Sequence, residues 1–183
     1  MNKPKALKKG DTIAVVSLSS GMLGESFCNH QKLLGRKRLE KMGFNVIFMP
    51  NSLRGIEYLE NHSEKRAEDL KNAFKNPDIK GILCAIGGID GYKIFPYLME
   101  DKEFVTLVKE NPKLFTGFSD TTVHHLMFHR LGMESFYGPS FLTDIAELDD
   151  NSLSYTEKYW NIYSGSPLTE IISSDKQIFR QNL

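Results

Sequence analysis

Only two cysteines occur in the 183 residues, Cys28 and Cys84, and their spacing matches no metal or redox motif. A disulfide framework or a thiolate metal centre is therefore not expected. No run approaches the ~20 apolar residues that cross a bilayer. The start, Met1 to Asp11, is polar and basic with no apolar stretch behind it, so neither a secretory leader nor a membrane span is expected. An excess of one charge is missing as well: Lys plus Arg and Asp plus Glu stand at 23 each. Without a net field to draw it to nucleic acid or anionic lipid, the chain is expected to be cytoplasmic, with no nucleic-acid or membrane partner. There is no P-loop Gly-Lys-Ser/Thr and no H-E-x-x-H. Gly87-Gly88-x-x-Gly91 is a poor dinucleotide fingerprint, because it lacks the G-x-G start and does not follow the first strand. No cofactor and no metal are expected.

What the sequence does contain is the composition of a globular domain, 40% hydrophobic and 25% charged. Its first two thirds alternate strand and helix signals. Thr12 to Ser19 is a short β-branched run after Gly10-Asp11, and it ends in the loop signal Ser19-Ser20-Gly21. Leu33, Leu34, Leu39 and Met42 fall near helical spacing over 30–42, with Gly43 where a helix C-cap would stand. Phe44 to Met49 predicts a second strand. Ser63 then predicts an N-cap, with Ala67, Leu70, Ala73 and Phe74 as the buried stripe and Glu64 in the first turn. Gly81 to Ile86 is nearly all apolar, as a central parallel strand covered on both faces should be. Further strands are expected at Leu114 to Phe118 and around Glu134 to Tyr137, with a helix from Thr121 to Leu131 between them. Five strands with intervening helices predict an α/β fold: an open, mainly parallel sheet of flavodoxin or Rossmann type, with helices on both faces. Beyond Pro139 the alternation stops, although the aromatic stretch Tyr155 to Tyr163 still has helical character.

In such sheets ligands bind outside the carboxyl ends of the strands. Three loops of glycine, hydroxyl and carboxylate residues stand there: Ser17 to Gly21, Gly87 to Gly91, and Gly117 to Asp120. Any one of them alone is a strand-to-helix turn, with Ser119 or Asp120 capping the helix at Thr121. Three together point to a shared site, in which small residues let backbone N–H groups approach a ligand and hydroxyls orient it.

Six pieces of sequence then occur in a family's order: Lys3 to Ser20, Arg66-Ala67-Glu68-Asp69-Leu70, Ala85-Ile86-Gly87-Gly88, Phe95-Pro96-Tyr97-Leu98, Gly117 to Thr122, and Tyr137-Gly138-Pro139. The chain resembles the LD-carboxypeptidase family of serine peptidases, which includes muramoyltetrapeptide carboxypeptidases and microcin C self-immunity proteins. The similarity covers most of residues 3–165, and Ala85 to Leu98 looks closer to the immunity branch. It implies an amino-terminal α/β domain over 1–165, and over 166–183 a linker or the start of a second domain that is missing. It also implies hydrolysis at the carboxyl end of a small peptide, such as the terminal D-alanine of a murein tetrapeptide, or of an aminoacyl-nucleotide. The family's nucleophilic serine follows the glycine pair after two further residues, at a turn whose backbone N–H groups form an oxyanion hole. On that pattern Gly88 and Tyr92 supply backbone donors, and Ser19, Ser20, Gly87, Asp90, Ser119 and Asp120 contact substrate.

Two departures qualify this. The alignment puts Gly91 at the nucleophile's position, and glycine cannot attack a carbonyl. No Ser, Thr or Cys lies between Gly87 and Pro96 to serve instead. The family's glutamate and histidine come from a second domain, and the sequence ends at Leu183, about where that domain would begin. His124, His125 and His129 lie too early to replace them. His125 and His129, at i and i+4, could share a helix face, but no third metal ligand accompanies them. Ser119 is a weaker candidate for a replacement nucleophile. The expectation is an LD-carboxypeptidase-like chain without turnover. The alternatives are a non-catalytic peptide- or nucleotide-binding module, or a truncated degenerate gene product. The late aromatics Phe136, Tyr137, Phe141, Tyr155, Tyr159, Trp160 and Tyr163 suggest apolar surface left exposed without a second domain, and hence a homodimer.

Overall fold

The computed structural model describes residues 1–148 and the helix 154–160. The expected linker over 166–183, the boundary at 165 and the aromatic Tyr163 lie outside the described residues. The strands are β1 (Thr12–Val16), β2 (Asn45–Phe48), β3 (Ile79–Cys84), β4 (Leu114–Gly117) and β5 (Phe136–Tyr137). They form one parallel sheet in the order β2-β1-β3-β4-β5. The helices are α1 (Asn29–Lys41), α2 (Ile56–Asn61), α3 (Ser63–Lys75), α4 (Phe95–Met99), α5 (Lys102–Glu110), α6 (Thr122–Arg130) and α7 (Ser154–Trp160).

The apolar residues of the strands divide between two cores because strand side chains alternate. Ala14, Val16, Ile82, Cys84 and Phe115 face the layer built by α3, α4, α5 and α6, where Phe74, Phe104 and Phe128 are fully buried. Ile13, Val15, Leu83 and Leu114 face the opposite layer, with Leu39 of α1, Phe141, Ile145 and Trp160. Phe141 and Trp160 are thus core residues, which removes them from the expected exposed aromatic patch. Tyr137 remains in it at 64% exposure.

The stripe expected on α3 is buried as read. Its cap is not: Ser63 is the first helical residue, the N-cap position is His62, and no side chain caps it. His62 Nδ1 instead meets Glu64 Oε1 at 2.9 Å. On α1 the apolar spacing marks the buried face only in part. Leu33 is 70% exposed, whereas Gly35, Arg38 and Leu39 are buried. Arg38 reaches across to donate to the carbonyls of Ile145 and Glu147. Gly43, with φ 99°, ends α1 in the left-handed conformation that glycine adopts freely. Helices α4 and α5, which the sequence pattern does not predict, fill the crossover from β3 to β4.

Candidate functional site

In the order β2-β1-β3-β4-β5 the chain leaves β1 towards one edge and β3 towards the other, so a switch point lies between β1 and β3. The loops after β1, β3 and β4 therefore stand side by side at the carboxyl end of the sheet. Their contacts are direct. Ser20 N–H donates to the Gly87 carbonyl at 3.2 Å. A β-carbon on Gly88 would stand 2.2 Å from Ser19 Oγ, and one on Gly87 would stand 2.9 Å from Ser119 Cβ. Only residues without a side chain allow the loops this close.

A polar network ties the three loops together. Ser19 Oγ lies 2.6 Å from Asp120 Oδ2 and 3.2 Å from Asp90 Oδ1. A hydroxyl carries one proton, and the shorter contact takes it to Asp120. Asp120 Oδ2 also accepts the Gly91 backbone N–H at 2.8 Å. Asp90 is held by Arg66, whose Nη1 and Nη2 lie 2.8 and 3.0 Å from its two oxygens, and by Lys93 at 3.3 Å. Burial pulls the Asp90 pKa upward, but the Arg66 guanidinium and Lys93 outweigh it and hold the carboxyl below its ordinary range. Asp90 is accordingly ionised at neutral pH. Arg66 is fully buried, and it also donates to the Leu59 carbonyl through Nε and Nη2.

Gly91 lies at the centre of this network and is buried. Its carbonyl is 3.0 Å from His124 Nε2. Burial pushes the His124 pKa down to about 4, so the ring is neutral and Nε2–H donates to that carbonyl. Among the described residues His124 Nδ1 is buried without a partner. A β-carbon on Gly91 would meet His124 Cε1 at 2.8 Å and Asp120 Oδ2 at 2.9 Å. The place a side chain would need at position 91 is thus filled by two neighbours. With its N–H committed to Asp120, Gly91 offers no backbone donor to a ligand.

The remaining residues singled out from the sequence divide. Asp120 does not cap α6, as one reading had it; its carboxylate is spent on Ser19 and Gly91, and the helix carries no side-chain cap. Tyr92 and Gly88 are exposed, Tyr92 at 56%. Ser20 Oγ accepts the Met22 N–H within its own loop. Ser17 points away from the cleft, to Ser52. Ser119 has φ 64°, the only positive value at a non-glycine among the described residues. Such a conformation costs about 1–3 kcal/mol and is found at sharp functional turns. Its hydroxyl has no partner among the described residues, so no base activates it there. Both ring nitrogens of His125 are engaged, by Ser135 Oγ and the Gly117 carbonyl, at 2.8 and 2.9 Å. Among the described residues no three His, Cys, Asp or Glu side chains converge as a metal site.

Two members of the network were missed as site residues. Arg66 sits in the buried stripe of α3, and an arginine at a core position is itself a signal, because it must find a buried acceptor. His124 lies earlier in the chain than the family's histidine, yet α6 starts directly from the loop after β4 and carries it to Gly91.

Comparison with known proteins agrees with this fold. The family model described as LD-carboxypeptidase N-terminal domain matches residues 13–138. The Bacillus subtilis protein named "Probable murein peptide carboxypeptidase" is 32% identical over 187 residues, covering 93% of this chain and 53% of its own. The Escherichia coli microcin C7 self-immunity protein MccF is 28% identical over 142 residues, 77% of this chain and 39% of its own. The crystal structure of an MccF-like protein from Streptococcus pneumoniae in complex with AMP superposes with a TM-score of 0.85 at 47% identity, over 91% of this chain and 48% of that one. An MccF-like protein from Bacillus anthracis gives 0.76 at 30% identity, over 89% and 47%. The chain spans about half the length of these relatives.

Proposed function

The chain belongs to the LD-carboxypeptidase family, matched through its amino-terminal domain, and from that premise we propose that it keeps the family's ligand cleft without its hydrolytic step. The ligand is a small peptide or an aminoacyl-nucleotide, held between the loops at Ser19-Ser20, Gly87 to Tyr92 and Ser119-Asp120. The AMP in the Streptococcus pneumoniae relative favours the nucleotide branch, because that is the more similar of the structures compared.

The observation that carries the reading is the position of Gly91. The resemblance assigns the nucleophile there, and glycine has nothing with which to form an acyl-enzyme. This loss does not depend on what else the whole protein contains. In triad enzymes removal of the nucleophile leaves only the modest acceleration that positioning and the oxyanion hole provide. The packing of Asp120 and His124 into the β-carbon's place supports a cleft adapted to the glycine.

The test pairs calorimetry with mass spectrometry, using an L,D-tetrapeptide and a hydrolysable aminoacyl-nucleotide analogue. Saturable binding of either ligand with no release of its terminal group is the expected result. Release above a boiled control would overturn the loss of turnover and direct attention to Ser119. Absence of binding by both would overturn the ligand cleft.

A further inference from the structure

At the amino-terminal ends of the strands, opposite the cleft, a concavity of about 380 Å³ is lined by five lysines: Lys3, Lys5, Lys8, Lys80 and Lys113. Two acids share the lining, Asp11 and Glu110. Neither is ion-paired with any of the five among the described residues, where every ion pair lies elsewhere. Positive charge therefore gathers at one end of a chain whose overall charge is zero.

The lysines are not a loose surface fringe. The segment that carries Lys3, Lys5 and Lys8 is pinned at both ends. Asn2 donates its N–H to the Gly132 carbonyl and accepts from Glu134 N–H, at 2.6 and 3.0 Å. Lys8 N–H donates to Asp11 Oδ2 at 2.7 Å, and Gly10 N–H to the Gly43 carbonyl at 2.7 Å. Between the pins Pro4 and Leu7 are buried, which anchors the segment and leaves Lys3, Lys5 and Lys8 exposed beside them.

Lys113 differs from the other four because it is only 3% exposed. Its ammonium donates to the carbonyls of Ala73 and Asn76, at the carboxyl end of α3. An ammonium has three protons, and among the described residues two have acceptors. Burial first, and the nearby Lys80 charge second, lower its pKa to about 8, against an opposing pull from Asp78. A buried cation one acceptor short among the described residues, in a concavity lined by five lysines and two acids, favours an oxyanion as its remaining partner.

We propose that this concavity is an anion site that takes a phosphate-bearing small molecule, with buried Lys113 as its fixed donor and Lys3, Lys5, Lys8 and Lys80 around it. The volume lies near the lower end for small-molecule pockets, roughly 300–1,000 Å³, which fits a mononucleotide or a sugar phosphate better than a polymer. The site is separate from the cleft at the other end of the strands and does not rest on the function proposed there.

Inorganic pyrophosphate, titrated into the chain at constant ionic strength and followed by calorimetry, is the direct probe. Saturable binding is expected, weakened about fivefold by Lys5→Gln or Lys80→Gln, as loss of one exposed charge contact predicts. Lys41→Gln, on an exposed turn of α1, should leave it unchanged. Lys113→Met should weaken it most. Should that variant fail to fold for want of its bonds to α3, the two exposed substitutions decide. Binding that does not saturate, or that Lys41→Gln weakens as much as Lys80→Gln, would overturn the site in favour of diffuse attraction. Sedimentation with phosphatidic acid vesicles in the absence of any pyrophosphate binding would overturn the small-molecule ligand.

Discussion

Asp120 Oδ2 lies 2.9 Å from the point where a β-carbon on Gly91 would stand. The same oxygen is fixed by Ser19 Oγ and by the Gly91 N–H, so it cannot retreat without giving up two hydrogen bonds. On the other side the buried His124 ring presents Cε1 at 2.8 Å. Restoring a side chain at position 91 therefore means inserting atoms into occupied space. Gly91→Ala and Gly91→Ser should each lower stability by about 1–3 kcal/mol, the usual range for overpacking, as read by thermal or urea unfolding. Serine should cost no more than alanine, since its hydroxyl can offer a proton to His124 Nδ1, which has no partner among the described residues. Gly91→Ser alone should not hydrolyse either test substrate. Full stability in both variants would show that the neighbours yield freely.

The Arg66–Asp90 pair should behave as a structural clamp on the cleft. Arg66 is fully buried and Asp90 is 14% exposed, and their contact is bidentate. Removing one partner of a buried pair strands the other, at a cost of about 3–5 kcal/mol. Arg66→Met and Asp90→Leu should each approach that loss. The double variant should recover part of it, because no buried charge is then left alone. A double-mutant cycle by chemical denaturation measures this directly. Strict additivity would show that the pair contributes no coupling.

Self-association is expected at the surface formed by β5 and α6. Tyr137 on that strand is 64% exposed and Leu126 on α6 is 63% exposed, and the ring of His125, next to Leu126 in α6, lies 5.6 Å from the Tyr137 ring. Large apolar side chains exposed together are a natural surface for a second copy. Light scattering should give a dimer mass that falls to that of a monomer in Tyr137→Lys. A monomer at high concentration in the unmodified chain would refute the homodimer.

Much of this architecture is legible in the sequence because parallel strands buried on both faces are short apolar runs, as β1, β3 and β4 are, while β2 and β5 are less buried. The three glycine and hydroxyl loops were legible for a similar reason: close approach demands small residues, and Gly87 and Gly88 meet Ser119 and Ser19 as that demand predicts. The partners that are distant in sequence were not legible. Nothing local in Arg66-Ala67-Glu68 says that its arginine spans 24 residues to Asp90. The cap expected of Ser63 failed because His62 and Glu64 satisfy each other. Leu33 is apolar and exposed because Gly35 and Arg38 face inward, and Arg38 serves two carbonyls that only tertiary structure brings to it.

His124 should give the acid side of the stability curve its shape. Its folded pKa is lowered to about 4, mainly by burial, from an ordinary value of 6.5. Between those two values the unfolded chain binds a proton at this residue and the folded chain does not. By linkage, stability must then fall as pH drops from 6.5 to 4 and level off below, with a total contribution of up to about 3 kcal/mol. Asp90 works in a lower window, since its folded pKa lies below the ordinary carboxylate value and its contribution disappears only as pH falls through that folded value. The two are separable with His124→Gln, which keeps an N–H donor for the Gly91 carbonyl but does not titrate. Urea unfolding at pH 7, 5.5 and 4 should show a steep loss in the unmodified chain and a much flatter one in the variant. Parallel curves would mean that the imidazole is protonated in the folded protein, with Asp120 as its counter-ion, and that the neutral ring beside Gly91 is wrong.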